Sequence, residues 1–149
     1  MKSLRYVTYC GLYCRLCANM SRILEQASAL RETLARSGYD RFGESVVSGF
    51  KEFWAALEFF GTMDKNCPDC RHGCGNPGCI IRECARERGI SLCSSCSEFP
   101  CEHIQELAEH YPNLIPDAMR QREIGLDAWI AEQEERVKQG FCYLDVYRR

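Results

Sequence analysis

Three Cys-x2-Cys pairs, Cys14/Cys17, Cys67/Cys70 and Cys93/Cys96, constrain this chain more than any other feature. A gap of two residues lets one tight turn aim both sulfurs at a single ion, as in zinc knuckles and iron–sulfur loops. One such pair says little. Here three stand among 12 cysteines in 149 residues, a density that marks a thiol-organised scaffold. The crowding peaks over residues 64–101, where Cys67, Cys70, Cys74, Cys79, Cys84, Cys93, Cys96 and Cys101 alternate with Gly73, Gly75, Asn76, Pro77 and Gly78. So broken a segment has few side chains with which to build its own core. We expect bound metal to organise it, each structural zinc contributing on the order of 10 kcal/mol.

The opening ten residues hold no apolar h-region and no small-residue cleavage site, so the expected compartment is the reducing cytoplasm, where clustered thiols bind metal rather than pair as disulfides. No apolar run approaches the ~18 residues that span a bilayer. Net charge is −2, from 19 basic and 21 acidic residues, and thiolate-bound zinc would make it more negative. A nucleic-acid role, which rests on clustered Lys and Arg, is disfavoured. The expected partner is another protein.

On either side of the thiol-rich segment the pattern is helical. Residues 4–9 read as one short strand or extended lead-in, followed at once by Cys10, Cys14 and Cys17. Over 18–37 Met20, Ile23, Leu24, Ala27, Leu30 and Leu34 recur at helical spacing, and Gly38 closes the run. Phe42, Val46, Phe50, Phe53, Leu57 and Phe60 then predict a second helix ended by Gly61. Together they form a hairpin over 18–63, with Phe50, Phe53 and Trp54 as core. A short helix is expected over 80–88, with Arg82, Arg86 and Arg88 interleaved with Glu83 and Glu87 as a solvated face. Helices return over 102–111, 116–124 and 126–139. The reading is one mainly α domain over 1–149: a first cysteine cluster (1–17), a helical hairpin (18–63), an irregular metal-binding segment (64–101) and C-terminal helices (102–149).

Four ligands complete a tetrahedral ion. Cys14/Cys17 with Cys67/Cys70 is the simplest first site, because two antiparallel helices of about 20 residues return the chain to its start. A second takes Cys93/Cys96 with two of Cys79, Cys84 and Cys101. Cys10 and the remaining member complete or extend either. Cys74 and Cys142 read as small buried hydrophobes. His72, His103 and His110 are left out of the ligand set. The Cys10-x3-Cys14-x2-Cys17 spacing also serves radical S-adenosylmethionine enzymes, but length and element order oppose a barrel. No phosphate loop, Ser/His/Asp set or H-E-x-x-H motif is present, and no catalytic residue is assigned.

The run Cys10-Gly11-Leu12-Tyr13-Cys14-Arg15-Leu16-Cys17, then Cys67-Pro68-Asp69-Cys70-Arg71, Cys79-Ile80-Ile81-Arg82-Glu83-Cys84-Ala85 and Cys93-Ser94-Ser95-Cys96-Ser97-Glu98-Phe99-Pro100-Cys101 resembles the cysteine-rich bacterial and archaeal family of unknown function numbered 3795, described as zinc-binding. Gly125 to Trp129 also looks like a Gly-x-x-x-Trp segment of that family. The resemblance implies ten functional cysteines: Cys10, Cys14, Cys17, Cys67, Cys70, Cys79, Cys84, Cys93, Cys96 and Cys101.

Three functions remain open. The first is a protein with about two structural zinc ions, acting as a binding or adaptor module and not as an enzyme. The second is an iron–sulfur protein with 4Fe–4S clusters, carrying electrons or assisting an anaerobic enzyme. The absence of the ferredoxin C-x2-C-x2-C-x3-C-P run favours zinc. The third is a thiol redox protein, against which the C-x2-C pairs lack a βαβ context.

Overall fold

The structure, a computed structural model, describes residues 4–149. Its architecture is mainly α, with eight α-helices and no strand among the described residues. The expected lead-in strand is a 3-10 turn, Leu4–Tyr6, followed by a single antiparallel bridge between Val7 and Tyr13. That bridge folds the Cys10 loop on itself, with the Thr8 amide donating to Leu12 O at 3.0 Å. Gly11 makes the reversal at φ 103°, a region closed to most other residues.

The chain divides into two compact units, Ala18–Cys67 and the remainder, Met1–Cys17 with Pro68–Arg149.

In the Ala18–Cys67 unit, a π turn over Asn19–Ile23 leads into α1 (Leu24–Arg36). The expected second helix is two helices, α2 (Tyr39–Val46) and α3 (Phe50–Gly61), followed by the short α4 (Met63–Asn66). The break has a local cause. Val46 and Val47 are β-branched, which weakens a helix, and Gly49 turns the chain at φ 74°. Phe50 then folds back over Gly43, where a Cβ would lie 2.4 Å from the ring. α1 packs on α3 at Gly61, whose carbonyl accepts from Ser28 Oγ at 3.0 Å. Of the expected aromatic core, Phe50 is buried, Phe53 stays 40% exposed, and Trp54 lies under the Arg31 guanidinium at 4.8 Å. The four helices of this unit leave large apolar side chains such as Phe42, Phe59 and Phe60 exposed.

The other unit holds α5 (Ile80–Glu87), α6 (Glu102–His110), α7 (Leu114–Ile124) and α8 (Leu126–Lys138). α7 begins two residues before Pro116, which occupies a first-turn position whose amide has no helical partner. Two cores form. Val7, Tyr13, Leu16, Trp129, Ile130 and Tyr143 make one, and Ile81, Ala85, Cys93, Ile104 and Leu114 make the other. The second corrects the expectation that the thiol-rich segment lacks apolar packing of its own: α5 and the Cys93 turn share a hydrophobic cluster with α6 and α7. Cys142 is fully buried.

Candidate metal centre

Two of the three Cys-x2-Cys pairs take the same conformation. Cys14–Leu16 and Cys93–Ser95 are each one 3-10 turn entered from an extended residue. In each, the second cysteine's amide donates to the first one's carbonyl, at 3.0 Å for Cys17 and 2.9 Å for Cys96. That second cysteine then leaves the turn in extended conformation, with ψ 144° and 140°. These are two copies of one knuckle.

The third pair differs. Cys67 follows α4, and Cys70 opens a separate 3-10 turn, Cys70–His72. Cys67 and Cys74 are disulfide-bonded, whereas the expectation has Cys67 beside Cys70 on an ion and Cys74 as a bystander. The other ten cysteines are not in disulfides.

Backbone and arginine contacts bring the knuckles together. The Cys93 amide donates to Tyr9 O at 2.8 Å. Arg71 donates to Val7 O at 3.1 Å and Ser91 O at 2.7 Å, its guanidinium 4.4 Å from the Tyr9 ring centre. Arg82 corrects the solvated-face reading: it is only 4% exposed and donates to the carbonyls of Cys70, Cys74, Asn76 and Pro77. A glycine-broken loop leaves carbonyls that no helix or sheet satisfies, and a planar cation with five N–H groups can serve several at once. The sequence contained that signal, in a loop poor in donors with an arginine on the next helix. Asp69 holds the turn's other side at φ 82°, its buried carboxylate accepting from the His72 amide at 3.1 Å and meeting His72 Nδ1 at 3.0 Å.

These thiols gather in two neighbouring groups. Cys84 of α5, Cys93, Cys96 and Cys101 line one small cavity of about 20 Å³, with Arg88 and His103 at its wall. Cys10, Cys79 and Cys101 also pack against the apolar cluster around Cys93. In the other group Cys14 has Cys70, Cys17 and Asp69 as electrostatic neighbours, and Cys10 has Cys70 and Cys79. Burial pushes the Cys10 thiol up to about 11, although the Thr8 hydroxyl at 3.1 Å opposes this. Burial first, then neighbouring thiols, pushes Cys93 up to about 12. Cys14 rises to about 12 for the same first reason, against a hydrogen bond from the Cys70 backbone. A redox nucleophile needs a thiolate near neutral pH, and these environments favour the protonated thiol. His110 lies elsewhere, its Nδ1 donating to Arg148 O at 2.8 Å.

Among the described residues, no three His, Cys, Asp or Glu side chains converge closely enough to hold a metal ion as they stand. The donors are nevertheless soft sulfurs, four of them lining one small cavity, a set that suits zinc, Cu(I) or an iron–sulfur cluster.

The family described as "Protein of unknown function (DUF3795)" matches residues 6–106. The chain belongs to that family. Every cysteine of the expected ligand set lies inside the DUF3795 match, whereas α7, α8 and Cys142 lie beyond it. No curated protein and no solved structure matches the chain. No helix is long and apolar enough to cross a membrane.

Proposed function

We propose that this DUF3795 protein is a zinc-binding module whose ions, about two, are structural and whose partner is another protein. The observation that carries this reading is the lining of one ion-sized cavity by Cys84, Cys93, Cys96 and Cys101, drawn from α5, a knuckle and the start of α6. These four sulfurs would be the ligands of one zinc ion. For the second ion, Cys14, Cys17 and Cys70 supply three sulfurs, with Cys10 or Cys79 as the fourth. Zinc held by four cysteines has no open coordination position, so the reading is of a binding or adaptor module. The iron–sulfur alternative has less support, because the chain lacks the ferredoxin C-x2-C-x2-C-x3-C-P run.

Elemental analysis and a visible spectrum of protein purified without air test the proposal. Colourless protein with about two zinc ions per chain supports it. Brown protein with iron and acid-labile sulfide overturns it.

A further inference from the structure

The cavity carries more than sulfur. Arg88, one turn beyond Cys84, lies in its wall with Nη1 3.9 Å from Cys96 Sγ, while Nη2 is held by Glu98 at 2.9 Å. On the far side of the knuckle, Arg122 of α7 donates through Nε to Ser94 O and through Nη2 to Cys96 O, the latter at 3.2 Å. Its guanidinium sits 5.1 Å from the centre of Phe99, another wall residue. Ser94 Oγ donates to Gln121 Oε1 at 2.7 Å, both side chains being buried. The Cys93–Ser95 turn is thus gripped from α7, and one sulfur of the cavity faces a cation.

Four thiolates around a dication leave two net negative charges in a partly dry site, which is costly unless cations or N–H groups face the sulfurs. Resting on the zinc reading above, we propose that the cavity is a tetrathiolate site in which Arg88 offsets the charge at Cys96 and Arg122 is a positioning residue that fixes the knuckle. The two arginines have different tasks. Arg88 supplies charge to a single sulfur, with Glu98 aiming its fork. Arg122 spans two carbonyls with a rigid planar group, which a lysine ammonium cannot do. His103 stands in the cavity wall and is not a ligand. Arg122 also lies outside the matched span, so part of what tunes the thiols is supplied by this chain's own C-terminal helices.

The test loads the full chain, stripped of metal and reduced, with Co2+ to read ligand identity from the sulfur-to-metal charge-transfer bands. Zn2+ affinity is measured by competition with a chromophoric chelator, and the melting of the metal-free proteins is followed alongside. Wild type is expected to give a four-sulfur Co2+ spectrum. Arg88→Ala and Arg122→Ala are each expected to lose about 10- to 100-fold in Zn2+ affinity at this site, the usual effect of removing an outer-shell partner. Arg88→Lys should recover most of that loss, and Arg122→Lys little of it. If Arg122→Ala melts without metal, the two Arg88 variants decide alone, because that side chain is 45% exposed. Unchanged affinity in Arg88→Ala, or a Co2+ spectrum with an imidazole ligand, overturns this inference and leaves the zinc reading standing. A wild type that takes up neither metal overturns the zinc reading, and the inference falls with it.

Discussion

At the scale of single residues, buried polar atoms with one available partner matter most. Tyr143 Oη accepts from the Tyr13 amide at 2.8 Å, inside the core that also holds Trp129. Tyr143→Phe leaves that amide without a partner, and an orphaned buried donor costs about 1–3 kcal/mol. The expected result is a melting temperature lower by several degrees, read by circular dichroism. Burial pushes the hydroxyls of Tyr13, Tyr111 and Tyr143 above their ordinary value, the Glu134 carboxylate adding to the rise at Tyr13. A raised value means that the stabilisation is complete below pH ~10, where the unfolded phenol is also neutral. It is lost progressively as pH climbs above that toward the folded values. Denaturant titrations should therefore show stability falling above pH ~10, less steeply in Tyr143→Phe. Arg82 is the corresponding case among cations. Arg82→Met should keep α5 helical but release the loop carbonyls to water, and limited proteolysis should then cut within residues 70–78 faster than in wild type.

At the scale of elements, helical character was legible and helix length was not. The apolar recurrence over 18–37 and 126–139 becomes α1 and α8 within a few residues or one preceding turn. The same recurrence over 42–60 ran through a break, since an apolar stripe does not report that Val46, Val47 and Gly49 interrupt the backbone beneath it. Gly43 explains why the break is tolerated: the absence of a side chain lets Phe50 lie across α2. Gly43→Ala therefore sets a methyl against an aromatic ring although alanine favours helix. Overpacking of this kind costs about 1–3 kcal/mol. Denaturant unfolding should show the loss, whereas the thiol count of the native protein should stay as in wild type. A Gly43→Ala variant as stable as wild type would mean that the Phe50 packing contributes little.

At the scale of the whole molecule, the chain brings together knuckles that begin nearly 80 residues apart. The Cys93 amide on Tyr9 O and the Arg71 fork on Val7 and Ser91 do this with backbone acceptors, before any ion is considered. Replacing Cys93 and Cys96 with serine should lower zinc content by about one ion per chain and loosen residues 64–101, as hydrogen exchange would show. If metal content and protection both survive that double change, those two sulfurs are not ligands. The apolar cluster of Ile81, Ala85, Ile104 and Leu114 sets a limit on the loss: α5 and α6 should keep part of their protection even in that variant.

What the sequence by itself determined is local. Cysteine spacing permits the knuckles, because two intervening residues fit one tight turn, although Cys67 and Cys70 have that spacing and do not form one; apolar recurrence dictates helices, because 3.6 residues make a turn. The membership of the Cys84, Cys93, Cys96 and Cys101 group was narrowed by spacing to a short choice. Only tertiary structure selected Cys84 and Cys101, set Cys67 and Cys74 apart as disulfide-bonded, and recruited Arg82, Gln121 and Arg122 to the loops. Those choices depend on which carbonyls are left without helical partners and which helix passes near them, and neither is a property of neighbouring residues in the chain.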